Sequence, residues 1–201
     1  MSASDLWTPP AGTGALIFDC DGTLADTMPA HYRAWTWMLD QYGIPFSSQK
    51  FYEYAGIPTA HIIEMLAQAA GTVVHDVAAM ARQKEQHYAE LIGSVTPIRP
   101  VLDIAAHYRH HMPVAVASGG EGYVVAQTLA AIGAADWFRV VLGAEDTQRH
   151  KPEPDVFLEA ARRLEIEPAR CVVFEDSDLG LLAAARAGML GVDVRPWYIT
   201  V

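Results

Sequence analysis

The chain has 201 residues, 51% of them apolar and 19% charged, with a mean hydropathy of +0.11, a composition that forms a core and excludes wholesale disorder. Its formal net charge of −10 argues against nucleic acid or any other polyanion as a partner, because such binding needs a basic footprint. No apolar run approaches the roughly 18 residues of a membrane span, and the opening MSASDLWTPPAGTG has neither the basic nor the apolar region of a signal peptide.

After that opening, ALIF (15–18) reads as a buried strand that ends abruptly in Asp19, Cys20, Asp21, Gly22 and Thr23. No strand signal follows between 28 and 95. Pro29 opens a helix running to Gln41, with His31, Trp35, Met38 and Tyr42 on one stripe and Gly43 as its stop. A second helix covers 59–70 and stops at Gly71. A third covers about 75–92, with Val77, Met80, Ala81, Tyr88 and Leu91 on one face. This all-helical stretch is too long for a loop, so residues 28–95 are expected to form a small inserted domain, hinged at 26–29 and at SVTPIRP (94–100).

VAVA (114–117), VVLGA (140–144) and CVVF (171–174) read as further strands, separated by helices over 123–132 and 156–164. LLAAARAG (181–188) gives another helix, and GVDV (191–194) is a candidate last strand. Short continuous runs of Val, Ile, Leu and Ala suit parallel strands covered on both faces. Their alternation with helices predicts a doubly wound, Rossmann-like α/β parallel-sheet core over 1–27 and 96–201. Cys20 and Cys171 lie in these runs and read as reduced core thiols, so the chain is expected to be cytoplasmic.

Ligands of open α/β sheets bind beyond the carboxyl ends of the strands. Here those ends carry Asp19 and Asp21, then Ser118 with Gly119 and Gly120, then Lys151, then Glu175 and Asp176. Any one of these pieces alone could be an ordinary turn, loop or helix lead-in; four at one sheet edge point to a site. Three or four carboxylates converging with one lysine repel one another unless a hard cation sits among them, and oxygen ligands beside a phosphate point to Mg²⁺. Asp19 is then placed to attack phosphorus, and Asp21 to protonate the leaving oxygen and later deprotonate water. Ser118 and the following backbone N–H groups are expected to hold phosphoryl oxygens at the start of the next helix, with Lys151 supplying positive charge. Thr23, Gly119 and Gly120 complete the expected contacts to a small phosphorylated metabolite, and a monomer is expected.

DCDGTLADT, the Ser118 loop, Lys151-Pro-Glu-Pro-Asp and FEDSDLGLLAAARAGM resemble the four motifs of the haloacid dehalogenase superfamily. A helical insert directly after the first motif is similar to the β-phosphoglucomutase-like branch of sugar-phosphate phosphatases, fructose-1-phosphatases among them. The resemblance spans about 15–194. It implies an all-helical cap domain, Asp19 as nucleophile, Asp21 as acid–base, and Ser118 and Lys151 on the phosphoryl group. It also implies Asp19, Asp21, Glu175 and Asp176 around Mg²⁺, with Glu175 acting through water, and His31 and Lys84 turned toward substrate. Dehalogenases of the superfamily lack the second aspartate, so Asp21 favours phosphoryl chemistry. Cys20 stands where an aliphatic residue is usual, which implies a site sensitive to oxidation, and the hinge PIRPV lacks the Gly often found there.

Two rival readings carry weight. A phosphosugar mutase of the same branch needs a cation in the insert for a second phosphate, and its members carry an Arg shortly after a Gly there. The matching loop YAGIPTA (54–60) has neither Arg nor Lys. A catalytically inactive phosphate-binding regulator conflicts with a full set of catalytic positions. His107, His110 and His111, spaced i, i+3, i+4, read as a solvated helix end. His150 is left open between substrate contact and solvent. Trp35, Trp37 and Trp137 read as packing residues.

Overall fold

The computed structural model describes residues 6–54 and 57–197. Its main sheet is wholly parallel, in the order β5 (Val140–Leu142), β4 (Val114–Ala117), β1 (Ala15–Phe18), β6 (Cys171–Glu175) and β7 (Leu190–Asp193). Strand periodicity sorts the side chains. Leu16, Phe18, Val114, Val116, Val172 and Phe174 face helices α5 (Arg99–Tyr108) and α6 (Gly122–Ala131). Ala15, Ile17, Ala115, Ala117, Cys171 and Val173 face α7 (Asp155–Leu164) and α8 (Asp178–Arg186). Both faces are therefore covered, as the expected doubly wound α/β fold requires. Phe18, Phe157 and Phe174 have no exposed surface, each contributing roughly 1.5–3 kcal/mol by burial.

VVLGA is a strand only as far as Leu142. Gly143 N donates to Asp146 Oδ2 at 2.9 Å and turns the chain, and a side chain on Gly143 would run into the backbone of Gly122.

The insert consists of α1 (Met28–Asp40), α2 (Ser48–Glu53), α3 (Thr59–Ala70) and α4 (Val77–Leu91). The short α2 carries no sequence periodicity of its own and is set by Ser47, whose hydroxyl accepts from Lys50 N at 3.3 Å. Tyr42, expected on the α1 stripe, lies beyond the helix end and is exposed. Trp35, Met38, Leu39, Ile63 and Met80 form an apolar cluster separate from the two sheet layers. The two segments expected as hinges meet as a two-stranded antiparallel ribbon, β2 (Ala25–Asp26) with β3 (Thr96–Pro97). Helix α4 divides its packing. Met80 joins the insert cluster, whereas Tyr88 joins the sheet layer and its hydroxyl hydrogen-bonds Thr128 of α6 at 2.9 Å, both residues fully buried. Among the described residues no helix is long and apolar enough to cross a membrane.

Candidate active site

Strand β1 delivers Asp19 to the carboxyl edge of the sheet, and Lys151 reaches it from the loop after β5. Lys151 Nζ donates to Asp19 Oδ1 at 2.6 Å and to Glu175 Oε2 at 2.7 Å, with all three residues buried. The other Glu175 oxygen accepts from Asp176 N at 3.2 Å, Ser177 N at 3.0 Å and Ser177 Oγ at 2.8 Å. Ser177 Oγ in turn accepts from Gly180 N at 3.0 Å, so one hydroxyl caps α8 and fixes Glu175. Thr23, expected among the substrate contacts, is fully buried and donates to Asp176 Oδ1 at 3.0 Å. It orients a carboxylate and does not face the cavity. Gly22 adopts φ +84°, and a side chain there would collide with the Asp176 carboxylate.

These groups crowd negative charge. Oxygens of Asp19, Glu175 and Asp176 lie within 4.8 Å of one another. Burial, then the neighbouring Glu175, push the Asp19 carboxyl well up, against the pull of Lys151. Burial and Glu175 likewise raise Asp176 to about 7. Burial pulls the Lys151 pKa down, but Asp19 and Glu175 more than offset it and hold the ammonium charged. Three carboxylates against one ammonium leave a negative excess, and hard oxygen donors at this spacing fit Mg²⁺. The Asp21 carboxylate, expected in the same set, is not part of this group.

Asp21 belongs instead to a second chain of contacts. Its Oδ1 lies 3.2 Å from His31 Nε2, and His31 Nδ1 lies 2.9 Å from Lys84 Nζ. An ammonium can only donate, so Nδ1 accepts and Nε2–H donates to Asp21. Burial, then Lys84, hold the imidazole neutral by lowering its pKa. Burial pushes the Asp21 carboxyl up, but His31, Thr27 and Lys84 together outweigh it and leave Asp21 below its ordinary value. His31 also stacks on Tyr88 with ring centroids 3.9 Å apart. Lys84 is buried with its ammonium. It is 3% exposed and donates to Glu85 Oε1 at 2.8 Å, which also accepts from Thr59 Oγ1 at 3.3 Å.

The Ser118 loop closes the third side. Ser118 is buried, and its Oγ accepts from Gly120 N at 3.0 Å while keeping its own hydrogen to donate. A side-chain carbon on Gly120 would stand 3.4 Å from both Asp21 Oδ2 and Ser118 Oγ, so the loop sits against Asp21. At the start of α6, expected to meet phosphate, one N–H is already taken. Gly122 N donates to the Glu145 carboxylate at 3.0 Å. Ser118, Gly119 and Gly120 line the cavity, together with Asp19, Asp21 and Lys151 from below and His31, Lys84, Glu85 and Trp35 from the insert.

Other expectations resolve by position. Cys20 is fully buried, and burial followed by Asp21 and Asp19 pushes its thiol up, so it is a packing residue and not a reactive one. His150 does not line the cavity. Helix α5 ends at Tyr108, so only His107 of the three histidines is helical. Trp35 is buried in the insert, Trp37 is exposed and stacks on His87, and Trp137 lies under Arg109. Glu85 and Ser177 escape the sequence reading. Glu85 had a signal, since with Lys84 it falls on the apolar stripe between Ala81 and Tyr88.

Fold and site together define a hydrolytic enzyme of the parallel α/β kind. The chain belongs to the haloacid dehalogenase-like hydrolase family, whose model matches residues 16–194. It is 39% identical over 181 residues to the fructose-1-phosphate phosphatase YqaB of Escherichia coli (strain K12), spanning 90% of this chain and 95% of that one. It is 28% identical over 188 residues to the β-phosphoglucomutase of Bacillus subtilis (strain 168), covering 90% and 82%. Among solved structures, CbbY from Rhodobacter sphaeroides in complex with phosphate matches with a TM-score of 0.81 and 26% identity, over 89% of this chain and 84% of that one. By these relationships the chain is a phosphoric monoester hydrolase.

Proposed function

We propose that the protein is a Mg²⁺-dependent phosphatase of small sugar or polyol monophosphates, acting through an aspartyl-phosphate on Asp19. Fructose 1-phosphate is the first substrate to try, from the name of the E. coli relative. The observation that carries this reading is one cavity with two facing sets: Asp19 with Lys151, and Asp21 tied through His31 to Lys84. An Asp19 oxygen attacks phosphorus as the ester P–O bond breaks, and Lys151 balances charge on the moving phosphoryl group. Asp21, its Oδ1 held by His31, takes up a proton brought in by the phosphate monoester as its monoanion and passes it from Oδ2 to the departing alkoxide. It then takes a proton from the water that attacks the acylphosphate, releasing inorganic phosphate and restoring Asp19. Ser118 and the loop after it hold phosphoryl oxygens. Mg²⁺ bound among Asp19, Glu175 and Asp176 would supply the charge neutralisation that lets an anionic phosphate approach an anionic nucleophile.

The helical insert, residues 28–95, serves as a cap domain over the core of 1–27 and 96–201. The cavity beneath it holds about 120 Å³, well short of the roughly 300 Å³ of a small-molecule site, so the insert moves to admit substrate. The β2–β3 ribbon, where the two connections cross, is the natural pivot.

The mutase reading is the weaker one. Of YAGIPTA, Ala55 and Gly56 lie outside the described residues, but the segment contains no cation. Among the described residues, Lys84 is the one Lys or Arg of the insert that lines the cavity, and it is already paired with Glu85. An inactive regulator fits poorly with Asp19, Asp21, Ser118 and Lys151 all lining one cavity. Phosphate release from p-nitrophenyl phosphate and fructose 1-phosphate tests the proposal. Turnover should vanish with EDTA and return with Mg²⁺, and full activity in metal-free buffer would contradict it.

A further inference from the structure

Among the described residues, Glu85 is the one acid the insert turns into the cavity. It is 6% exposed, its Oε1 accepts from Lys84 and Thr59, and its Oε2 is buried with no donor among the described residues. A buried carboxylate oxygen left without a donor is unfavourable, and such atoms are rare unless something arrives to satisfy them. The surrounding charge says what that is. Lys84 is already paired with Glu85, so among the described residues the insert offers no uncommitted cation on this wall. Glu121, which precedes α6, stands near enough to Glu85 that burial and then Glu85 raise its carboxyl. Glu85 and Glu121 together outnumber Lys84, so the charge around Glu85 is net negative.

We infer that Glu85 is a specificity residue that accepts a hydrogen bond from a hydroxyl of the leaving group through Oε2 and repels a second phosphate or a carboxylate at the far end. The inference rests on the phosphatase reading and adds the chemistry of the group that leaves: a neutral polyhydroxy alcohol with a hydroxyl on the insert side. Thr59 has a supporting part, since its hydroxyl occupies the other Glu85 oxygen and leaves Oε2 for the substrate.

The test compares wild-type protein with Glu85→Gln and Glu85→Asp, all with Mg²⁺, on fructose 1-phosphate, fructose 1,6-bisphosphate and p-nitrophenyl phosphate. Losing a charge-assisted hydrogen bond corresponds to about a tenfold effect or more. Glu85→Gln should therefore lose kcat/KM on fructose 1-phosphate about tenfold more than on p-nitrophenyl phosphate, which has no hydroxyl to donate. Its preference for the monophosphate over the bisphosphate should also narrow, by about tenfold. Glu85→Asp keeps the charge but withdraws the oxygen, so it should lose the sugar phosphate selectively and still discriminate against the bisphosphate. It decides the matter if Glu85→Gln fails to fold. Equal losses on fructose 1-phosphate and p-nitrophenyl phosphate in the folded variants, or an unchanged bisphosphate ratio in Glu85→Gln, would overturn the inference. Failure of the phosphatase reading shows separately, as wild-type protein that releases no phosphate from any of the three.

Discussion

Lys84 Nζ stands 2.9 Å from His31 Nδ1, and this contact makes His31 a neutral donor to Asp21. The imidazole pKa lies below its ordinary value of 6.5. As pH falls through about 6.5 the unfolded chain takes up a proton that the folded chain refuses, so stability present at neutral pH is lost on acidification, by at most about 1.4 kcal/mol per pH unit. Urea midpoints between pH 7.5 and 5.5 should therefore fall more steeply for wild-type protein than for His31→Gln. Parallel curves would mean that His31 takes its proton as readily folded as unfolded.

Lys151→Met should be strongly destabilising as well as inactive. It leaves Asp19 and Glu175 buried without their shared ammonium, and breaking a buried pair from one side costs about 3–5 kcal/mol. Thermal or urea denaturation in EDTA reads the loss directly. A variant as stable as wild type would show that the two acids are protonated, not ion-paired.

Gly180→Ala should run against the ordinary rule for helices, where alanine gains about 1 kcal/mol over glycine. A methyl at Gly180 would collide with the Glu175 side chain, which is pinned by Lys151 and Ser177 and has nowhere to go. Destabilisation of about 1–3 kcal/mol is expected, in the range of overpacked cores. Gly93→Ala, at a position with open space, serves as the control in the same melting experiment. A melting temperature for Gly180→Ala at or above that of wild type would show that Glu175 is free to move.

If the proposed site among Asp19, Glu175 and Asp176 holds Mg²⁺, the ion should raise the melting temperature of the metal-free protein, because a ligand of the folded state alone stabilises it and this one would relieve the repulsion there. Asp176→Asn should reduce that shift sharply. A shift of equal size in the variant would place the ion elsewhere.

The sheet edge was legible in the sequence because strand ends are local. ALIF, VAVA and CVVF are short apolar runs, and the polar residue after each has one direction to point. What the sequence hid depends on distance along the chain. Thr23 looks like a loop hydroxyl facing substrate until Asp176, 153 residues away, is seen accepting from it. Asp21 looks like a metal ligand beside Asp19, yet its carboxylate is held by His31, ten residues on in the insert, and lies outside the Asp19, Glu175 and Asp176 cluster. Glu145 takes one N–H at the start of α6 from a strand end that the sequence read as two residues longer. The β2–β3 ribbon is too short to leave a periodic signal at all.

The central claim is hydrolysis of a sugar monophosphate through Asp19, and phosphate release is its most direct measure. Wild-type protein and Asp19→Asn are incubated with Mg²⁺ and a panel of sugar phosphates, and inorganic phosphate and the sugar products are both followed. Wild-type protein should release one phosphate per dephosphorylated sugar, and Asp19→Asn should fall to near background, a loss of the order of a thousandfold or more for removing a nucleophile. Wild-type rates in Asp19→Asn, or conversion of one sugar phosphate into its isomer with little free phosphate, would contradict the account.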